Sequence, residues 1–125
     1  MLPKSLHLAV LAICGMLAAS SATARMGAFD GAWTVEVMTR RGACDALYHY
    51  PVAVTGNQVR FRNMYGETSP QVAGEVGRDG RIRGTFGQGE NRISVAGRLF
   101  GGAGSGTWTA PGRGCSGHWT AERRD

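Results

Sequence analysis

The chain has 125 residues and a net charge of +5, which is enough for one domain with a modest core. Its 20 glycines are spread throughout and argue against a mainly helical fold. Beyond the first 24 residues, no stretch is long and apolar enough to cross a bilayer as a helix, so no transmembrane segment is expected.

Residues 1–24 have the three parts of a secretory signal peptide. Lys4 precedes an apolar run over residues 8–19, and Ala22-Thr23-Ala24 has the small-x-small form of a cleavage site. We therefore predict a signal peptide at 1–24 and a single domain at 25–125, periplasmic or secreted.

Two of the three cysteines remain in the predicted domain. Cys14 lies inside the apolar run and leaves with the signal peptide, and the Ile before it does not fit a lipidation site. Cys44 and Cys115 are expected to form a disulfide in an oxidising compartment. Closing that loop should stabilise the fold by about 4 kcal/mol.

Eight segments have the apolar and polar alternation of β-strands. In chain order they are residues 33–37, 48–54, 59–62, 72–76, 82–86, 93–99 and two segments centred on Trp108 and Trp119. Turn residues separate several of them, as in Gly56-Asn57 and Asp79-Gly80. The link at 63–70 is the longest, and the glycine-rich stretch 100–106 is expected to be a flexible hairpin loop.

Eight short antiparallel strands in sequence predict an all-β fold. A small up-and-down β-barrel is the first choice, because closure removes exposed edges, and a two-sheet β-sandwich is the alternative. Cys44 follows the first strand and Cys115 opens the eighth, so a bridge between them would lock the barrel seam.

A glycine-x-aromatic unit recurs in the predicted strands, as in Gly31-Ala32-Trp33 and Gly117-His118-Trp119. The glycine of each unit makes room for a ring, and we expect aromatic side chains and valines to pack the interior. If glycines instead leave a cavity, it would hold a small apolar ligand. The candidate lining residues are Trp33, Tyr48, Tyr50, Trp108 and Trp119.

The predicted domain carries 13 arginines and no lysine against nine acids. Arg60 with Arg62, and Arg81 with Arg83, have the spacing that places each pair on one face of a strand. Together with Arg98 they would form a positive band on the outer wall, a candidate site for an anionic envelope component. Nucleic acid is not expected, because the aromatic residues that would stack on bases point inward.

No residue pattern indicates an enzyme, a cofactor or a metal site. His49 and His118 have outward parity and no tight ligand spacing, and no serine lies in a nucleophile elbow. The tail at 123–125 is expected to be disordered.

The blocks Phe29-Asp30-Gly31-Ala32-Trp33 and Cys115-Ser116-Gly117-His118-Trp119 resemble those of small secreted, functionally uncharacterised proteins of rhizobia and related alphaproteobacteria. That resemblance implies export and a compact fold. The leading hypothesis is thus an exported, non-catalytic binding or envelope-associated module.

A looser similarity suggests an alternative. Periplasmic inhibitors of secreted metalloproteases are also small lipocalin-like barrels with a glycine-x-tryptophan unit and one disulfide. Such an inhibitor inserts its N-terminal arm into a protease cleft, and here that arm would be residues 25–28. The disulfide spacing is much longer in this chain than in those inhibitors.

Overall fold

A computed structural model describes residues 27–124 and confirms the β-barrel. The predicted signal peptide, residues 25 and 26 of the proposed arm, and Asp125 lie outside the described residues. The strands are β1 (Gly31–Arg41), β2 (Leu47–Thr55), β3 (Gln58–Phe61), β4 (Gly74–Val76), β5 (Arg81–Phe86), β6 (Ile93–Phe100), β7 (Ala103–Ala110) and β8 (Cys115–Arg123). Short 3-10 turns follow β5 (Gly89–Asn91) and β7 (Pro111–Arg113).

The eight strands form an antiparallel meander that closes on itself. Each strand pairs with the next in sequence, and β8 returns to pair with β1 from Trp33 opposite Arg123 to Arg41 opposite Ser116. Closure leaves inward side chains on one face of every strand, and these make the core. The fold is therefore the barrel rather than the sandwich.

The wall is uneven around its circumference. The ladders between β3 and β4 and between β4 and β5 contain only two residue pairs each. Val72, predicted to lie in the fourth strand, is 38% exposed and outside β4. The preceding turn is held locally, because the Asn63 side-chain oxygen accepts hydrogen bonds from the backbone N–H groups of Tyr65 and Glu67, both at 2.9 Å.

One end of the barrel, here named the closed end, is filled around Trp33. The Trp33 side chain is buried, and its indole N–H donates to the Phe29 carbonyl oxygen at 2.9 Å. The Asp30 carboxylate accepts backbone hydrogen bonds from Gly27 and Gly56, each at 3.0 Å. The residues before β1 therefore cover this end of the barrel.

Arg123 completes the closed end, although the sequence predicted a disordered tail. Its guanidinium carbon lies 5.1 Å from the centre of the Trp33 ring. The guanidinium also donates to the carbonyl oxygens of Ala28, Asp30 and Gly101 at 3.1 to 3.3 Å. Arg123 is the last residue of β8. The expectation of disorder was wrong for this residue, because carbonyl oxygens from three other parts of the chain accept hydrogen bonds from its side chain.

The opposite end, here named the open end, carries the predicted disulfide. Cys44 and Cys115 are bonded, with 6.2 Å between their Cα atoms and a sequence separation of 71. Cys115 begins β8, whereas Cys44 lies in the connection between β1 and β2. The bridge sits just beyond the last pair of the β1–β8 ladder and ties the first connection to the start of the last strand.

Two tryptophans lie flat against the inner wall over glycines. Trp119 pairs with Gly106, and its indole N–H reaches across to the Ala96 carbonyl oxygen at 3.1 Å. Trp108 likewise pairs with Gly117 and donates to the Met38 carbonyl oxygen at 3.1 Å. A Cβ on Gly106 would stand 2.7 Å from the Trp119 ring, so the glycine is what admits the ring.

These contacts also correct the prediction for residues 100–106. Gly104 and Gly106 belong to β7, and only residues 101 and 102 form the turn. Gly104 faces Leu99 and Gly106 faces Trp119, so neighbouring side chains cover the strand where it has none of its own. A glycine-rich composition here marks close packing rather than a flexible loop.

A candidate ligand cavity at the open end

The barrel interior contains a cavity of about 220 Å³. Its walls are almost entirely apolar, formed by inward valines, aromatic rings and a few other aliphatic side chains. An apolar cavity of about 150 Å³ is known to be large enough for benzene. The space is therefore sufficient for one small apolar molecule. The lining includes the five residues named from the sequence, Trp33, Tyr48, Tyr50, Trp108 and Trp119.

Four aromatic side chains follow one another along the open end of this cavity. We name Tyr48, Tyr50, Phe61 and Phe86 the aromatic arc. The ring centres are separated by 5.9 Å between the two tyrosines, 5.6 Å from Tyr50 to Phe61, and 5.0 Å from Phe61 to Phe86. These are ordinary distances for interacting aromatic pairs.

The aromatic arc exists because β4 is short. Phe61 is the last residue of β3 and Phe86 is the last residue of β5. Nearer the closed end, β4 lies between these two strands. At the level of the two rings β4 has not yet begun, and Phe61 and Phe86 meet edge to face across that part of the wall. The sequence predicted that both side chains point inward, but not that they touch.

The aromatic arc keeps much of its surface in contact with solvent. Tyr50 is 37% exposed, and Tyr48, Phe61 and Phe86 are half-buried. Burial, and after it the neighbouring Tyr48, raise the pKa of Tyr50 above its ordinary value. The Tyr50 hydroxyl is therefore an uncharged hydrogen-bond donor over the whole physiological pH range.

Aromatic residues and valines pack part of the interior, as expected, but a space remains beside them, as the cavity alternative predicted. The indoles of Trp108 and Trp119 lie along the wall because each donates to a carbonyl oxygen on another strand. A ring held flat in this way covers the wall but leaves the centre empty. Gly97, Gly106 and Gly117 lie beneath these indoles, and within the described part of the chain Gly74 is the one glycine that lines the cavity.

One charged residue, Arg113, contributes to the cavity wall at the open end. It belongs to the 3-10 turn between β7 and β8, two residues before the disulfide cysteine. Arg113 also lines a neighbouring groove together with Asp45 and Tyr48. Sequence reasoning missed it, and the only local signal was a basic residue in a Pro-Gly-Arg-Gly-Cys turn.

Of the four arginines proposed for the outer wall, Arg60 lies on β3 and Arg81 and Arg83 lie on β5. Arg62, predicted to lie in the third strand, follows the end of β3 instead. The Arg60 guanidinium donates to the Gln58 side chain at 2.9 Å, and that of Arg62 to the Gly66 carbonyl oxygen at 3.2 Å. Glu75 on β4 pairs with Gln58 and Arg83, so a carboxylate interrupts the positive band. Binding of an anionic envelope component there stays a prediction.

Asp79 adds a second negative charge beside this band. A hydrogen bond from the backbone N–H of Arg81, and after it the charges of Arg81 and Arg98, hold the pKa of Asp79 below its ordinary value. Arg81 and Arg98 pair directly across β5 and β6. The face is therefore mixed in charge rather than uniformly basic.

The two histidines of the described residues, His49 and His118, lie on the outer face and not at the cavity. His49 is exposed and lies 3.2 Å from the Glu36 carboxylate, while His118 is exposed on β8. Within residues 27–124, no group of three His, Cys, Asp or Glu side chains is arranged to hold a metal ion. No helix in that same range has the length and apolar character needed to span a membrane.

No family model matches the chain, and neither a curated protein nor a solved structure matches it. The resemblance to small secreted alphaproteobacterial proteins stays a prediction. The inhibitor alternative also stays a prediction, but Gly27 and Ala28, half of its arm, are hydrogen-bonded into the closed end. We therefore infer function from the cavity.

Proposed function

We propose that this protein is an exported, non-catalytic binding module that takes a small apolar ligand into the open end of its barrel. Export is supported by the predicted signal peptide and by the disulfide, which fits an oxidising compartment. The observation that carries the binding role is the aromatic arc at the mouth of an apolar cavity of about 220 Å³.

Half-exposed aromatic side chains around a cavity favour ligand binding on energetic grounds. Each square ångström of apolar surface removed from water contributes about 25 cal/mol, so a ligand that covers the rings gains from their remaining exposure. Aromatic rings also prefer edge-to-face and offset contacts with other rings. The cavity is therefore best suited to a ligand whose main part is a flat, uncharged ring system.

The chemical character of the lining supports binding rather than catalysis. Within the described part of the chain, no polar or charged side chain is fully buried. His49 and His118 lie on the outer face, away from the cavity lining. The tyrosine hydroxyls and Arg113 are the polar groups that a ligand would meet at the mouth.

The test is a fluorescence titration with 2-naphthamide, an uncharged bicyclic probe. Val35→Phe adds a ring inside the cavity beside Tyr50, and we expect it to weaken probe binding at least tenfold while the thermal midpoint changes by only a few degrees. Thr107→Phe adds the same ring on the exposed outer face of β7 and should bind like the wild type.

Backbone amide NMR gives a second readout that does not depend on the variant. The probe should shift the signals of cavity residues such as Val95 and Phe86 and leave those of the outer wall unchanged. Wild-type protein that fails to bind the probe, or equal binding by Val35→Phe, would overturn the proposal.

A further inference from the structure

We propose that the ligand carries a single anionic group, a carboxylate in the simplest case, which binds Arg113 while its apolar body fills the cavity. This inference rests on the proposed binding function and adds the chemical class of the ligand. Its starting point is that, among residues 27–124, Arg113 is the one charged residue in a mostly apolar lining.

The Arg113 guanidinium has no protein partner within residues 27–124. The ion pair found in that range joins His49 to Glu36, and no side-chain hydrogen bond from Arg113 accompanies it. Asp45 shares the neighbouring groove but does not pair with Arg113. The five N–H donors of this guanidinium are therefore available to a ligand.

The backbone beneath Arg113 is firmly placed. Its turn begins at Pro111 and ends at Gly114, whose N–H donates to the Pro111 carbonyl oxygen at 3.1 Å. Gly114 has a φ of 66°, a conformation that suits glycine. Cys115 then enters the disulfide, which fixes the turn to the opposite connection. The fixed backbone keeps the Arg113 side chain at the open end of the cavity, so a ligand group that binds it must lie at this end.

The setting of Arg113 favours a carboxylate over a neutral polar group. A guanidinium can donate two parallel hydrogen bonds to one carboxylate, and such charge-assisted bonds are about twice as strong as neutral ones. Arg113 is exposed, so salt also screens this pairing and lowers its strength. Tyr48 lines both the cavity and the groove and would lie against the same end of the ligand.

The experiment compares two probes that share one body. 2-Naphthoate carries a carboxylate at neutral pH, and 2-naphthamide is its uncharged counterpart. We expect the wild-type protein to bind naphthoate at least tenfold more tightly than naphthamide, with a preference that falls as salt is raised. Arg113→Gln should remove this preference by weakening naphthoate binding at least tenfold more than it weakens naphthamide binding, with the thermal midpoint unchanged.

Two further variants separate a specific contact from general charge. Arg92→Gln removes an exposed arginine that does not line the cavity, and it should keep the preference for naphthoate. Asp45→Asn removes the nearby acid and should strengthen naphthoate binding several-fold, because it removes a repulsive charge.

The possible failures are distinguishable. Equal affinity of the wild type for both probes, or an unchanged preference in Arg113→Gln, would overturn the role of Arg113 while the binding function stands. An equal loss of both probes in Arg113→Gln would show that the residue acts only on the structure. If neither probe binds the wild type, the proposed binding function fails and this inference fails with it.

Discussion

The two ends of the barrel are formed by the same strands, but one end is covered by other parts of the chain and the other end is not. At the closed end, Trp33 is buried, Arg123 lies over its ring, and the residues before β1 are hydrogen-bonded across the opening. At the open end, the rings of the aromatic arc meet each other but remain partly exposed. The closed end satisfies most of its groups within the protein, with the buried Arg123 Nε left without a partner among the described residues. The open end leaves apolar surface uncovered and the Arg113 guanidinium without a protein partner in the same range.

This contrast suggests that the closed end contributes mainly to stability and the open end mainly to ligand binding. Fully buried aromatic side chains contribute most to the stability of a small domain, and half-exposed ones contribute less. Surface that is left uncovered in the free protein is available to a ligand. We therefore expect substitutions at the closed end to affect folding and substitutions at the open end to affect binding.

The largest expected effect is that of Trp33→Ala. Removing a buried ring from the closed end should lower the free energy of unfolding by about 3–5 kcal/mol, because it leaves a void and strips Arg123 of its stacking partner. The matched change at the open end, Phe86→Ala, should cost only about 1 kcal/mol, because that ring is half-exposed. Urea denaturation of both variants measures the difference, and equal losses would contradict the division between the ends.

The disulfide should give the next largest effect. Replacing Cys44 and Cys115 together by Ser should lower the free energy of unfolding by about 2–4 kcal/mol, because the bridge spans 71 residues and restricts the unfolded chain. The same change releases the connection beside Arg113, so naphthoate binding should weaken as well. The control is wild-type protein under reducing conditions, which should match the double variant in urea denaturation; a bridge that contributes nothing would leave both midpoints unchanged.

The glycines beneath the indoles should give the smallest of the three effects. Gly106→Ala places a Cβ against the Ala96 carbonyl oxygen and 2.7 Å from both the Gly97 Cα and the Trp119 ring, so the β6 backbone and the indole must both shift. We expect this change to cost about 1–3 kcal/mol and to disturb the cavity wall. Gly102→Ala is the control, because the nearest atom to its added Cβ is 3.9 Å away. Thermal unfolding and naphthamide binding should both worsen in the first variant and stay within error in the second. A tolerated Gly106→Ala would mean that the β6 backbone and the Trp119 indole both make room at little cost.

Much of the fold could be predicted because its signals are local. Alternation in segments such as 33–37 marks which side chains face inward, and turn residues such as Gly56-Asn57 mark where strands reverse. Closure into a barrel and the bridge between Cys44 and Cys115 followed from strand number and order. The indoles that cover glycines were also expected from the glycine-x-aromatic units.

The candidate site could be predicted only in part. Inward parity identified Trp33, Tyr48, Tyr50, Trp108 and Trp119 as residues of the interior, and all five line the cavity. Parity gives the direction of a side chain but not how far it reaches or whether it lies along the wall. For that reason the sequence suggested a filled interior where the structure has a cavity.

The roles of two arginines show where local signals end. Arg123 was assigned to a loose tail, and Arg113 was not singled out at all. Each gains its role from groups that are distant in sequence, the Trp33 ring for Arg123 and the cavity wall for Arg113. The residues next to Arg123 and Arg113 in sequence contain no pattern that predicts these contacts.

By itself, the sequence of this protein determined the inward and outward faces of its strands, the order in which they pair and the cysteines that join, because each depends on the residue period or on the order of segments along the chain. The tertiary structure decided that β4 is short enough for Phe61 to meet Phe86 and that the indoles lie flat. It also decided that an empty space remains beside Arg113. Those features depend on distances between side chains from different strands, which are fixed only when the barrel closes.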